Sequence, residues 1–135
     1  MEKTNIMVDF SIIGDEFEPN EITKKILLKP NEYYKKGDKS ESNFKRKECC
    51  WSINTGYVET LYVSELIGEL IDKLSKKIDV LVDLKKNYKL IFKFFIVINI
   101  IDNEKPAIYL DKSIIAFANI LEAEFDFDIY ILNKC

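Results

Sequence analysis

The chain has 135 residues, 47% hydrophobic and 32% charged, with 20 basic and 23 acidic side chains and a net charge of −3. That balance fits one globular domain able to bury its own core, excludes wholesale disorder, and lacks the basic excess of a nucleic-acid binder. Histidine is absent, which removes the usual zinc sites, the Ser–His and Cys–His nucleophile pairs and the commonest general base.

The opening MEKTNIMVDF places acidic and polar residues where a signal peptide needs an apolar run. The most apolar segment, residues 90–101, is interrupted by Lys93 and is too short to span a bilayer. Cys49 and Cys50 are adjacent and Cys135 is terminal, which is no disulfide framework. Together these features point to a cytoplasmic protein with no membrane contact.

Val8, Phe10 and Ile12 alternate with Asp9 and Ser11, the period-two signature of a half-buried strand, and Gly14 ends it. Residues 15–19 form a turn. Pro19 suits the first position of a short helix whose inward residues are Ile22 and Ile26, and Pro30 stops it. Residues 31–36 read as a short strand closing at Gly37-Asp38.

From residue 35 to 47 the chain is polar and basic: Lys35, Lys36, Lys39, Lys45, Arg46 and Lys47 outnumber Asp38 and Glu41. Residues 36–47 are predicted to be a mobile loop. Trp51, Ile53 and Thr55 then alternate with Ser52 and Asn54 up to Gly56, a further strand. Helical spacing runs from Val63 to Leu84, and a break near residues 75–77 is favoured over one long helix. Residues 90–101, apolar at both alternations, read as a central strand covered on both faces.

Residues 102–105 make a tight reversal into a short strand around Ile108. A last helix is capped by Asp111 or Ser113, with Ile114, Phe117, Ala118 and Leu121 inward. The final strand, 124–132, sets Phe125, Phe127, Ile129 and Ile131 on one face and Glu124, Asp126, Asp128 and Tyr130 on the other. The fold class expected is α+β: a mixed, largely antiparallel sheet of five or six strands with three or four helices packed mainly on one face. The order is compatible with a ferredoxin-like core extended by a final strand–helix–strand unit, and residues 1–135 form one domain.

The ordered set Phe10-x-Ile12-x-Gly14, Pro19, Ile22-Thr23, Pro30, Gly37 and Trp51, then Pro106 and Asp128-x-Tyr130, resembles a known family. It is the bacterial domain-of-unknown-function family whose number reads four-two-seven-nine. The resemblance spans nearly the whole chain. It implies a small stand-alone bacterial domain, and it brings no catalytic residues and no settled activity.

Several residues are candidates for binding a ligand or partner. Asp126 and Asp128, with Glu124, form an acidic stripe whose members, two apart on a strand, project together. Such carboxylates could act as acid and base or supply part of an oxygen-rich metal site, and the plainer reading is a solvated face paired with lysines on a neighbouring strand. Trp51, beside Lys45, Arg46 and Lys47, could stack on a base or anchor a partner, and the plainer reading is core packing. Asp128 and Tyr130 carry the resemblance. Cys49 and Cys50 point to opposite faces, so they cannot ligate a metal jointly. No phosphate loop or dinucleotide fingerprint is present, and no cofactor is expected.

The reading that follows is a non-catalytic protein-binding module, in its sharpest form immunity- or antitoxin-like. The alternatives are a small-ligand or regulatory sensor with a crevice near Trp51, Asp128 and Tyr130, and an acid/base enzyme on the C-terminal carboxylates.

Overall fold

The computed structural model describes residues 2–133. In chain order the elements are β1 (Asn5–Gly14), α1 (Pro19–Ile26), β2 (Glu32–Tyr34), β3 (Cys49–Asn54) and β4 (Val58–Glu59). They continue with α2 (Val63–Ser75), α3 (Ile78–Asn87), β5 (Leu90–Ile101), α4 (Lys112–Leu121) and β6 (Glu124–Leu132). Among the described residues the strands form one six-stranded sheet in the order β2-β3-β1-β5-β6, with β4 paired to β1. Every pairing is antiparallel except β5 with β6. The order β2-β3-β1-β5 is that of a split βαβ core, and α4 adds β6 in parallel beside β5. The chain is therefore α+β, with a mixed, mostly antiparallel sheet.

The two strand periodicities decide which face is buried. Ile6, Val8, Phe10 and Ile12 of β1 lie in register with Ile98, Ile96, Phe94 and Phe92 of β5. All of them are fully buried in one cluster with residues from α1, α2, α3 and α4. Phe10 packs tilted against Phe92 and Phe94 at 5.8 and 5.1 Å, and Phe94 stacks on Phe125 at 5.2 Å. Each such ring contributes about 2–3 kcal/mol by leaving water.

Local signals set the helices. Pro19 begins α1, with Ile22 and Ile26 inward, and Leu27 ends it in the left-handed region. Ser75 ends α2 and α3 starts at Ile78, so the break lies where the spacing placed it. The Asp111 side chain, not Ser113, caps α4 by accepting from the Ile114 N–H at 2.9 Å. Lys85 of α3 donates to the Leu121 and Glu122 carbonyls at the other end of α4.

Three expectations are corrected. β5 is flanked by β1 and β6, but as far as Ile100 only its even-numbered side chains are buried. Ile91, Lys93, Phe95, Val97 and Asn99 face away from the helices, because all of those pack on the opposite side. Second, Ile108 is not in a strand: this segment makes only an isolated bridge, Tyr62 to Ala107, and Ile108 is exposed. Third, β3 stops at Asn54 and the two-residue β4, too short for periodicity to reveal, follows it. Among the described residues no helix is long and apolar enough to cross a membrane.

Candidate functional site

The uncovered face of the sheet is where the polar halves of the strand alternations meet. Its register builds rows across the sheet. One runs Glu32, Ser52, Ser11, Lys93, Glu124 from β2 to β6. Beside it lie Asn54, Asp9, Phe95 and Asp126, and on the other side Tyr34, Cys50, Ile13 and Ile91. Further rows place Met7 with Val97 and Asp128, and Asn5 with Asn99 and Tyr130. The two central strands contribute short side chains, Ser11, Ser52 and Cys50, which larger neighbours shade from solvent. The result is a shallow floor rather than a deep pocket.

Asp9 sits at the middle of this floor, half-buried. Ser11 Oγ donates to its carboxylate at 2.5 Å, and the Ser52 and Asn54 side chains offer further hydrogen bonds. Burial outweighs these bonds, and Glu32 adds like charge, so the Asp9 carboxyl is raised above its ordinary 3.8. Its hydrogen-bond partners are all neutral.

Nearby, the Cys50 thiol is pushed up to about 11, chiefly by burial, against hydrogen bonds from Ser11 and Tyr34. The Tyr34 hydroxyl rises to about 12, from burial first and the Cys50 sulfur second. Both stay protonated at neutral pH. Cys50 thus lacks the thiolate that a nucleophilic cysteine needs.

Two cations border the face. Arg46 lies 4.0 Å over the Tyr34 ring, 5.6 Å from that of Phe44, and 3.7 Å from the Glu32 carboxylate. Lys93 stands 4.0 Å from Glu124 and 3.7 Å from Asp126. Asp9, Glu32, Glu124, Asp126 and Asp128 therefore outnumber Arg46 and Lys93, and the face is acidic.

The residues singled out in the sequence are scattered. Trp51 is wholly buried on the helix side, its indole N–H donating to Thr23 Oγ1 at 2.9 Å. Two strands, β1 and β5, separate it from Asp128 and Tyr130, so the expected crevice joining the three does not exist. Trp51 is a core residue. The acidic stripe lies on the solvent side of β6, with Lys93 of the neighbouring strand between Glu124 and Asp126. Tyr130 donates to Asp128 at 2.8 Å, and that bond raises the phenol's pKa.

The basic segment splits likewise. Arg46 turns onto the sheet while Lys45 and Lys47 are exposed. Lys35 and Lys36 are engaged by Glu18 and Asp15, each at 2.9 Å. The segment folds back on itself: Lys39 bridges Lys45, and Gly37 N–H donates to the Arg46 carbonyl. Between this arm and β2 lies an open cleft of about 730 Å³ lined by Tyr33, Tyr34, Asp38, Phe44 and Arg46. As expected, Cys49 faces the core and Cys50 the opposite side. Cys135 lies outside the described residues.

Asp9, Ser11, Ser52 and Tyr34 were missed as site residues. For Asp9, Ser11 and Ser52 the signal is the alternation of β1 and β3, where they form the polar side; Tyr34, on the three-residue β2, carries no such signal. Among the described residues no group of three or more Cys, Asp and Glu side chains could hold a metal ion.

An antiparallel-dominated sheet with its helices on one side and an acidic, partly apolar floor on the other defines a one-sided α+β domain. The chain belongs to the DUF4279 family, a domain of unknown function, whose model matches residues 2–132. No curated protein matches it, and neither does any solved structure.

Proposed function

We propose that the chain is a non-catalytic protein-binding module, in its sharper form immunity- or antitoxin-like, and that it binds through the uncovered sheet face. The observation that carries this reading is the composition of β5. Its Ile91, Phe95 and Val97 point to the side that no helix covers, where Met7 and Ile13 join them. Apolar residues around a polar centre suit a partner's core contact and rim.

The charge of the face indicates the partner's chemistry. The carboxylate of Asp9 is held by neutral donors beside Glu32. A lysine or arginine from a basic protein surface would offset both the cost of its desolvation and that repulsion. The same surplus of carboxylates speaks against a nucleic acid. The high thiol and phenol pKa values support recognition over reaction.

Position-specific photocrosslinking tests this. Benzoylphenylalanine is placed at Phe95 or Val97 on the open face, and at the exposed Asp72 or Lys76 on the helix layer, in cells that make the protein. The expected result is one protein captured from the open-face positions alone. Capture from the helix positions instead, or from neither set, would overturn the reading.

A further inference from the structure

We propose that β6 is an acceptor edge to which the partner protein adds an extended segment, basic on one face and apolar on the other. This rests on the protein-binding reading and specifies the partner's chemistry.

Among the described residues β6 is paired on one side only, with β5, in unbroken register from Glu124 to Leu132. Its outer edge offers alternating backbone donors and acceptors along nine residues. The opposite edge, β2, has only three residues and carries the folded-back arm. Proteins usually blunt such an edge with charged side chains, above all lysine, or with proline, a bulge or brevity. β6 contains no lysine or proline and its register shows no bulge; its charges are the carboxylates of Glu124, Asp126 and Asp128, which repel an acidic strand and attract a basic one.

The strands of parallel sheets are normally covered on both faces. Here Ile129 and Ile131 are 47% and 70% exposed on the helix side, although Phe125 and Phe127 before them are partly buried. On the other side stand Glu124, Asp126 and Asp128. An added strand therefore meets apolar side chains at alternate positions and carboxylates between them. Lysine or arginine alternating with valine, isoleucine or phenylalanine matches both rows, and backbone pairing supplies the register.

A second copy fits poorly. Full-length antiparallel self-pairing of the strand centres on Asp128, setting that carboxylate against its own symmetry mate. Like charges directly opposite are destabilising.

The probe is a capped nine-residue peptide of alternating lysine and valine, tested on the whole protein against two relatives. One has N-methylated valines, and the other has glutamate for lysine. Hydrogen exchange and chemical shifts of the residue 124–132 amides are followed by NMR. The expected result is protection along β6 with the lysine–valine peptide. N-methylation, the glutamate peptide and the double variant Asp126→Lys/Asp128→Lys should each weaken binding at least about tenfold.

No protection along β6 would overturn the proposal. So would equal binding of the N-methylated peptide, which would reduce the effect to charge attraction without strand pairing. Dimers that bury the β6 amides without peptide would make a second copy the occupant and also overturn it. If the peptide fails while crosslinks from Phe95 still capture a partner, the edge proposal falls and the open-face reading stands.

Discussion

Replacing Trp51 by phenylalanine separates a core tryptophan from a contact one. The side chain is wholly buried and its N–H donates to Thr23 at 2.9 Å. Trimming indole to phenyl removes the equivalent of two or three buried carbon groups, about 1.5–2.5 kcal/mol, and the hydrogen bond is worth about another 1 kcal/mol. The expected loss is about 2–4 kcal/mol, a large share of the roughly 5–15 kcal/mol that holds a domain folded. It corresponds to a fall in Tm of about 8–15 °C.

Urea unfolding followed by circular dichroism measures the loss. A double-mutant cycle with Thr23→Val isolates the bond, with a coupling of about 1 kcal/mol. Trp51 is the sole tryptophan, so wild-type fluorescence gives an independent reading: blue-shifted emission protected from iodide until unfolding. Red emission open to iodide, or a variant of unchanged stability, would refute the burial on which this reasoning depends.

Three further outcomes are expected. Because the Asp9 carboxyl is raised in the fold, the native state binds its proton more tightly than the unfolded chain. Its contribution to stability is fullest below the unfolded value and is lost as pH climbs through the folded one. Asp9→Asn should therefore stabilise the protein at pH 7 and lose that advantage near pH 3; denaturant midpoints across pH check it, and a gain seen only in acid would be contrary. With its thiol at about 11 rather than 9.0, Cys50 in a Cys135→Ser background should alkylate at pH 8 at least about 10-fold more slowly than an unperturbed thiol, the thiolate fraction falling about 100-fold and its greater basicity recovering part of that. Peptide mass spectrometry reads the rate, and rapid labelling of the native protein would contradict it. A methyl group at Gly14 would meet Leu90 Cδ2 at 2.9 Å and the Lys89 carbonyl at 3.1 Å. Gly14→Ala should cost about 1–3 kcal/mol by overpacking, visible as a lowered Tm; an unchanged Tm would contradict the close approach.

Much of the fold was legible because alternation and three-to-four spacing report the covered face directly. Phe10, Ile22, Leu70 and Phe117 each fell inward as their spacing required. The apolar run of β5 misled for a physical reason. Hydrophobic side chains on both sides of a strand suggest cover on both, whereas the chain's own helices supply it on one side only.

The site was less legible. Trp51 and the basic segment drew attention by residue type, yet packing took Trp51 into the core and Tyr34 took Arg46 onto the sheet. Asp9 and Ser52 are 43 positions apart by number in the chain, and only the β1–β3 register brings them together. The acidic stripe lies on the solvent side of its strand with a lysine from its neighbour, a geometry that the alternation of β6 already implies.

The central place of β1 has a consequence for synthesis. Its partner on one side, β5, begins only at Leu90, so a growing chain emerges with that flank of β1 open. At about 5–20 residues per second the wait between Gly14 and Leu90 is roughly 4–15 s. During that interval Ile6, Val8, Phe10 and Ile12 lack the Ile98, Ile96, Phe94 and Phe92 that lie beside them in the finished sheet.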